Sequence, residues 1–345
     1  MAFLVFNPRR WDLLSIDPFD FGLEKFVEPS KAQVEFENLI KILGELGEVK
    51  DICNIIDKEK LIEVVLESMT IIGEGKLEEE KFKSSISSLD KDALCNLFVL
   101  NPTLILSESS NRSVPKLRLF SEKIRGELLW LHKYAIIDNA VIIGYPSINS
   151  SKTEIKLIYY SLCKETGQEP VIADYPPALL NFDDIIIDKN RNSILAQIGG
   201  STNVEGLARL FRLKYPILAE LYISDNFNKL PLSTFLRILN EDYILVNRDI
   251  LNITRVDIYE YTTDNYHYKY TYNLKDFLNM INEKIIIVDS QDMSFLITNN
   301  KVVIKEETDK SVSSIFSQLG LDIIKLPMSE LGTNYRGPYN LVIQY

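Results

Sequence analysis

From about residue 130 to the end, the chain repeats one unit: two short apolar strands joined by a tight polar turn, then a helix, then a third strand. WLHKYAIIDNAVIIGYP (130–146) leads to a helix over about 153–166 and to EPVIAD, and NFDDIIIDKNRNSILAQIGG (181–200) leads to a helix over about 203–213 and to ILAELYI. STFLRILNEDYILVN (233–247) continues through the irregular YEYTTDNYHYKYTYN to a helix over about 274–282 and KIIIVD. SFLITNNKVVIKE (294–306) is followed by SVSSIFSQLG and DIIKLP. The turns KNRN, NED and TNN carry the Asn and Asp residues that tolerate tight-turn backbone angles. A recurring unit of this size predicts a repeat architecture whose units bury a common core.

The N-terminal segment fits the same scheme, with a strand FLVF (3–6), an amphipathic helix over about 31–47 that stops at Gly47, and a short strand EVKDI. Counting it, the chain holds about five related units. Residues 54–128 have another character. Charged and apolar residues interleave at helical spacing in EKLIEVVLES and KDALCNLFVL, with SESSNRSVP as a loop, so an all-helical insert is expected over 54–128, between 1–53 and 129–345. The run KLEEEKFK (76–83) reads as a solvated helix face.

Composition narrows the function classes. The chain has 345 residues with 38 Lys+Arg against 49 Asp+Glu, a formal charge of −11 that argues against nucleic-acid binding. With 46% hydrophobic and 25% charged residues it can bury a large core. No run approaches the roughly 18 uncharged apolar residues that a membrane span requires. The N-terminus lacks the order of a secretory signal, so a cytoplasmic location and no membrane partner are expected. The three cysteines, Cys53, Cys95 and Cys163, lack CxxC spacing and suggest neither a disulfide framework nor a zinc site, and no metal or cofactor is expected. All three read as buried core residues, Cys163 beside Tyr159 and Leu162 on a helix. Of the two histidines, His132 is expected in a strand beside Trp130 and His267 among tyrosines, neither close to a strand end near Asp184.

Several short segments then carry a resemblance. IIDNAVII places Asp138 after an apolar strand, LNFDDIII is similar to a Leu-Glu-Gly-Gly-Asp-Val stretch, and IGGSTNVEGLARL to a Ser-x-Arg-Thr-Asn-x-x-Gly segment. LPLSTFLRILNEDYILV resembles a His-Leu-x-Ser/Thr strand with its hairpin, and GTNYRGPYNLVIQY a terminal Gly-rich loop and strand that present a nucleophile. Their order and spacing resemble the pentein, or guanidine-modifying, superfamily, with arginine deiminase as the nearest type. The resemblance implies a five-bladed α/β propeller of ββαβ units with a helical insert after the first.

In that family a cysteine thiolate attacks the guanidinium carbon, a histidine shuttles protons, and carboxylates hold the guanidinium by bidentate hydrogen bonds. Carried across by resemblance, the glutamate falls on Asn181, the histidine on Pro231 and the nucleophile at or beside Gly337, while Asp184 and Asp138 are kept as candidate guanidinium-binding residues. Ser201 replaces the arginine of its segment, Ile137 the arginine before Asp138, and Thr202, Asn203 and Gly206 remain. Phe182 stands where the family has glycine, and with Tyr335 it is expected to plug the pocket.

Loss of an acid–base group costs about 10²- to 10⁴-fold in rate, and loss of a covalent nucleophile removes the pathway. The expected function is a catalytically inactive arginine deiminase-like subunit acting through a protein partner: an active paralogue, another enzyme or a second copy. The alternatives are a hydrolase with relocated catalytic groups and a sensor of guanidino compounds or polyamines. Tyr259, Tyr261, Tyr266, Tyr268, Tyr270 and Tyr272 form a candidate interface, against the plainer reading of an exposed hairpin with cross-strand pairs.

Overall fold

The apolar runs flanked by Asn- and Asp-bearing turns form antiparallel strand pairs, as the repeat requires. The computed structural model describes residues 1–72, 76–105, 118–121, 124–148, 150–173, 177–224, 227, 229–263, 265–281, 284–332 and 335–345. Ala135–Ile137 pairs antiparallel with Val141–Ile143; the helix Lys152–Thr166 follows, and Val171–Ile172 returns parallel to the second strand. The same order recurs in Ile185–Asp188, Ser193–Gln197 and Ile217–Tyr222, joined by the turn Val204–Leu207 and the 3-10 segment Ala208–Leu213. It recurs again in Leu236–Ile238, Tyr243–Asn247 and Lys284–Val288, and in Leu296–Thr298, Lys301–Lys305 and Asp322–Leu326. The N-terminal segment builds its sheet from both ends of the chain. Ala2–Val5 runs parallel to Glu48–Asp51 after the helix Pro29–Leu46, and its antiparallel partner is Ile343–Gln344.

Local chemistry explains these elements. Asn192 and Asn299, both at φ 50, take the left-handed turn conformation that asparagine tolerates better than most residues. Ser151 and Glu154 form a capping box at the start of the helix Lys152–Thr166. Asn273 and Asp309 cap the helices Leu274–Met280 and Lys310–Gln318. The strand Ser193–Gln197 is buried throughout, as a central strand covered on both faces should be.

The tyrosine-rich stretch is regular. Arg255–Thr262 and Asn265–Asn273 form a long hairpin, and the first of these strands pairs antiparallel with Ile217–Tyr222, extending that sheet to five strands. Tyr259 packs edge-on against Tyr268 with ring centroids 5.8 Å apart, and Tyr261 against Tyr266 at 5.2 Å. Tyr266 is buried and its hydroxyl donates to the Tyr215 carbonyl at 2.6 Å, whereas Tyr268 and Tyr270 are 56% and 57% exposed.

The all-helical insert is corrected by the structure. Residues 54–128 do hold the helices Lys58–Ser68, Lys76–Ser88 and Lys91–Leu100, but Thr70–Ile72, Pro102–Ile105 and Arg118–Ser121 form a three-stranded sheet among them. Runs of three or four residues are too short to display a period of two, so they read as the frayed ends of helices. Leu61, Val65, Leu94 and Phe98 share one hydrophobic core with Phe3, Leu4 and Leu39. SESSNRSVP lies outside the described residues, and within KLEEEKFK the side chains of Glu80, Lys81 and Lys83 are exposed. Among the described residues no helix is long and apolar enough to cross a membrane.

The cysteine reading is corrected too. Cys53 and Cys95, both buried, form a disulfide between the turn Ile52–Ile55 and the helix Lys91–Leu100, while Cys163 is partly exposed. Forty-two residues separate the bridged pair, and no sequence spacing announces it. Closing a loop of that length stabilises a chain by about 4 kcal/mol in the entropic description. Alkylation of the unfolded, unreduced protein should therefore label Cys163 alone, and labelling of all three cysteines should require reduction and be accompanied by a lower melting temperature.

Candidate functional site

The segments singled out by the resemblance meet around the 3-10 turn Phe182–Asp184, which precedes the strand Ile185–Asp188. Asn181 caps this turn: its side-chain oxygen accepts the Asp183 N–H at 2.9 Å, and its own N–H donates to the Thr202 hydroxyl at 3.0 Å. Asn203 accepts the N–H groups of Leu179 and Gly206, each at 2.9 Å. Gly206 is required by close approach, since a Cβ there would stand 1.9 Å from the Leu179 carbonyl oxygen. Thr202, Asn203 and Gly206 therefore grip the loop before the turn, which directs the two adjacent carboxylates to different partners.

Asp184 is buried and receives the Thr202 hydroxyl at 2.8 Å. Burial pushes its carboxyl up to about 8; Thr202 and the Leu232 N–H oppose the shift and the neighbouring Asp183 adds to it. Asp184 is therefore mostly neutral at pH 7 and acts as a strut between the Thr202 turn and the Pro231–Thr234 turn. Asp183 behaves in the opposite way. Burial would raise it as well, but the His132 hydrogen bond and charge, with Arg336 and Lys133 nearby, outweigh burial and hold it below the usual carboxylate range.

One oxygen of Asp183 takes both His132 Nδ1 at 2.9 Å and the Asn340 amide at 3.1 Å. A carboxylate offers only lone pairs, so Nδ1 carries the proton. Asn340 is oriented by accepting the Gly337 N–H at 3.1 Å, which turns its NH₂ to Asp183. The Tyr339 ring lies between the His132 ring, 3.9 Å away, and the Arg237 guanidinium, 3.4 Å from its centroid. Arg237 is buried, which lowers its pKa against the pull of Tyr339 and Asp183, and it donates to the Phe295 carbonyl at 3.1 Å. Arg336 covers Trp130 at 4.6 Å and bonds the Gly22 carbonyl.

The residues named from sequence fall as follows. Pro231 opens the 3-10 turn Leu232–Thr234. Gly337 is set by crowding, because a Cβ would stand 2.6 Å from Ser294 Oγ, and the side chain that faces Asp183 from this loop is Asn340, three positions later. Asp138 lies apart from Asp184: its oxygens take Lys189 Nζ and the Tyr215 hydroxyl, both at 2.7 Å, and the cavity it lines does not include Asp184. Phe182 is buried in a cluster with Leu180, Ile185, Ile194 and Leu207. Tyr335 donates to Glu24 at 2.8 Å beside a pocket of about 270 Å³ that Thr234 and Gln291 also line.

His132 overturns its expectation. It sits in a 3-10 turn, Leu131–Tyr134, and bonds the residue next to Asp184, 51 positions away. Nothing in its local sequence announces that partner; the weak signal was Asp183, a second carboxylate where the resembled stretch has glycine. His267 lies on the exposed edge strand. Cys163 lies on the helix Lys152–Thr166, where burial raises its thiol. Among the described residues no group of three His, Cys, Asp or Glu side chains could hold a metal ion.

Compared with protein-family models and with curated proteins, the sequence matches none. Solved structures do match. A dimethylarginine dimethylaminohydrolase bound as an adduct with S-methyl-L-thiocitrulline superposes with TM-score 0.59 at 12% identity, covering 100% of this chain and 99% of its own. A variant of the dimethylarginine dimethylaminohydrolase from Pseudomonas aeruginosa, complexed with citrulline, gives 0.57 at 12%, covering 100% and 98%. The N-terminal domain of ArgZ, a cyanobacterial arginine dihydrolase of the ornithine–ammonia cycle, bound to substrate, gives 0.60 at 11%, covering 99% and 97%.

The chain has the pentein fold. Within that fold the Asp183 contacts are internal. His132→Ala should destabilise the protein by about 3–5 kcal/mol, because it strands a buried carboxylate. Adding Asp183→Asn should recover much of that loss in a denaturation cycle; simple additivity would contradict the pairing. Asp184 gives a pH signature. Its carboxyl ionises near 3.8 when unfolded and near 8 when folded, so its stability contribution is full below about pH 4 and lost as pH rises through 8. Asp184→Asn should therefore gain melting temperature relative to the parent between pH 5 and about 8.5, and parallel profiles would refute the shift.

Proposed function

We propose that this chain is a catalytically inactive pentein-fold protein. In this reading its five strand–strand–helix–strand units close into a propeller, residues 54–128 form an insert, and it works by binding, as a structural or regulatory subunit of a protein complex. The observation that carries the reading is the composition of the centre. Asp183 is bonded to His132 and Asn340, Asp184 to Thr202, and Asp138 to Lys189 and Tyr215, so the carboxylates available for a guanidinium already have partners. The cysteines lie elsewhere, two in a disulfide and the third on the helix Lys152–Thr166. A thiolate route through a covalent adduct has no nucleophile here. The solved neighbours act on arginine or dimethylarginine; this chain keeps their fold and not that chemistry.

Incubation with L-arginine and with dimethylarginine should release no citrulline above a protein-free blank. Citrulline formed in proportion to protein would establish instead a hydrolase with relocated groups. The surface offered to a protein partner is the hairpin strand that exposes Tyr268 and Tyr270. Exposed tyrosines present large contact area with few torsions to freeze. Replacing both with serine should leave the melting temperature within about a degree, since both are exposed. The same change should release a stoichiometric partner from the complex purified from native cells, and an undiminished complex would sink this assignment.

A further inference from the structure

Two adjoining cavities lie beyond the contacts of Asp184. The larger, about 550 Å³, is walled by aliphatic side chains from four of the five units: Ile136 and Ile137, Ile187, Leu296, and Ile343. His132 and Tyr339 also line it. Asp138 and Lys189 border both this space and a polar cleft of about 280 Å³, which also holds Asn139, Asn192 and Lys214. Aliphatic walls hold water poorly, and the volume is within the range of small-molecule sites, about 300–1,000 Å³.

Charge distinguishes the occupant. The protein carries −11 overall, yet the cleft presents two ammonium groups to one carboxylate. The Lys189 side chain is 70% exposed and can turn to a ligand while Asp138 keeps the Tyr215 hydroxyl. Lys214 is exposed and makes no ion pair with the described residues. A cationic head would meet both lysines, and an anionic head would gain charge-assisted hydrogen bonds from each. We infer that the paired cavities bind a small amphipathic carboxylate, its head at Lys189 and Lys214 and its alkyl chain along the isoleucine and leucine wall toward His132. This site stands whether or not the chain turns over a guanidino compound.

The test uses octanoate, with octanol and octyltrimethylammonium as neutral and cationic counterparts. The chain has two histidines, so the ring C2–H resonances of His132 and His267 give an internal report, His267 lying on the exposed hairpin. Octanoate should move the His132 resonance saturably and leave His267 fixed. The double variant Lys189→Ala/Lys214→Ala removes only exposed side chains; it should weaken octanoate about tenfold and leave octanol unchanged. Ile187→Trp, which narrows the larger cavity, should abolish both. No saturable His132 movement at millimolar octanoate, equal affinity in the double lysine variant, or tighter binding of the ammonium compound would each overturn the assignment.

Discussion

Asp183 is a carboxylate in the interior, and one of its oxygens holds a ring nitrogen from 51 residues upstream and an amide from 157 residues downstream. Burying a charge is unfavourable unless its lone pairs are met, so the turns at 131–134, 182–184 and 338–341 must assemble together or not at all. The strand that follows the last of these turns pairs with Ala2–Val5 and completes the N-terminal sheet. Beside it Asp184 takes the other solution open to a buried carboxyl and stays protonated. Two adjacent acids, one ionised and one neutral, thus tie several units through different partners.

The same contacts engage the acidic side chains at the centre. A site that acts on a guanidinium needs carboxylates free to accept it and a nucleophile within reach. Here each carboxylate already has a donor, and the position facing Asp183 from the C-terminal loop is an amide. Tyr339 fills the space between His132 and Arg237, and the Arg237 cation is held against its ring. Tyr268 and Tyr270 lie exposed on the hairpin, whereas the larger lysine-edged cavity reaches His132 and Tyr339 themselves.

Legibility from sequence followed the range of the interaction. The strand pairs and their helices were readable because apolar periodicity and Asn-bearing turns are local, and the turns at Asn192 and Asn299 adopt the backbone those residues favour. The sheet inside residues 54–128 was not readable, because three- and four-residue strands carry too little period to compete with the helices around them. In the C-terminal loop the resemblance drew attention to Gly337, whose identity is set by Ser294 pressing on its Cα, whereas Asn340 was hidden in an ordinary turn. The disulfide joins cysteines that no motif connects.

By itself the sequence determined the order of the repeating units, their turns and helix caps, the acidic balance, and the absence of any cysteine in the last half of the chain. Those are properties of neighbouring residues or of composition. Tertiary structure alone decided that His132 serves Asp183, that Asp138 and Asp184 part company, that Tyr268 and Tyr270 stay exposed while Tyr266 is buried, and that the two ends of the chain share a sheet. Each of these depends on which distant segments come within hydrogen-bonding or packing distance, and only the closed fold sets those distances.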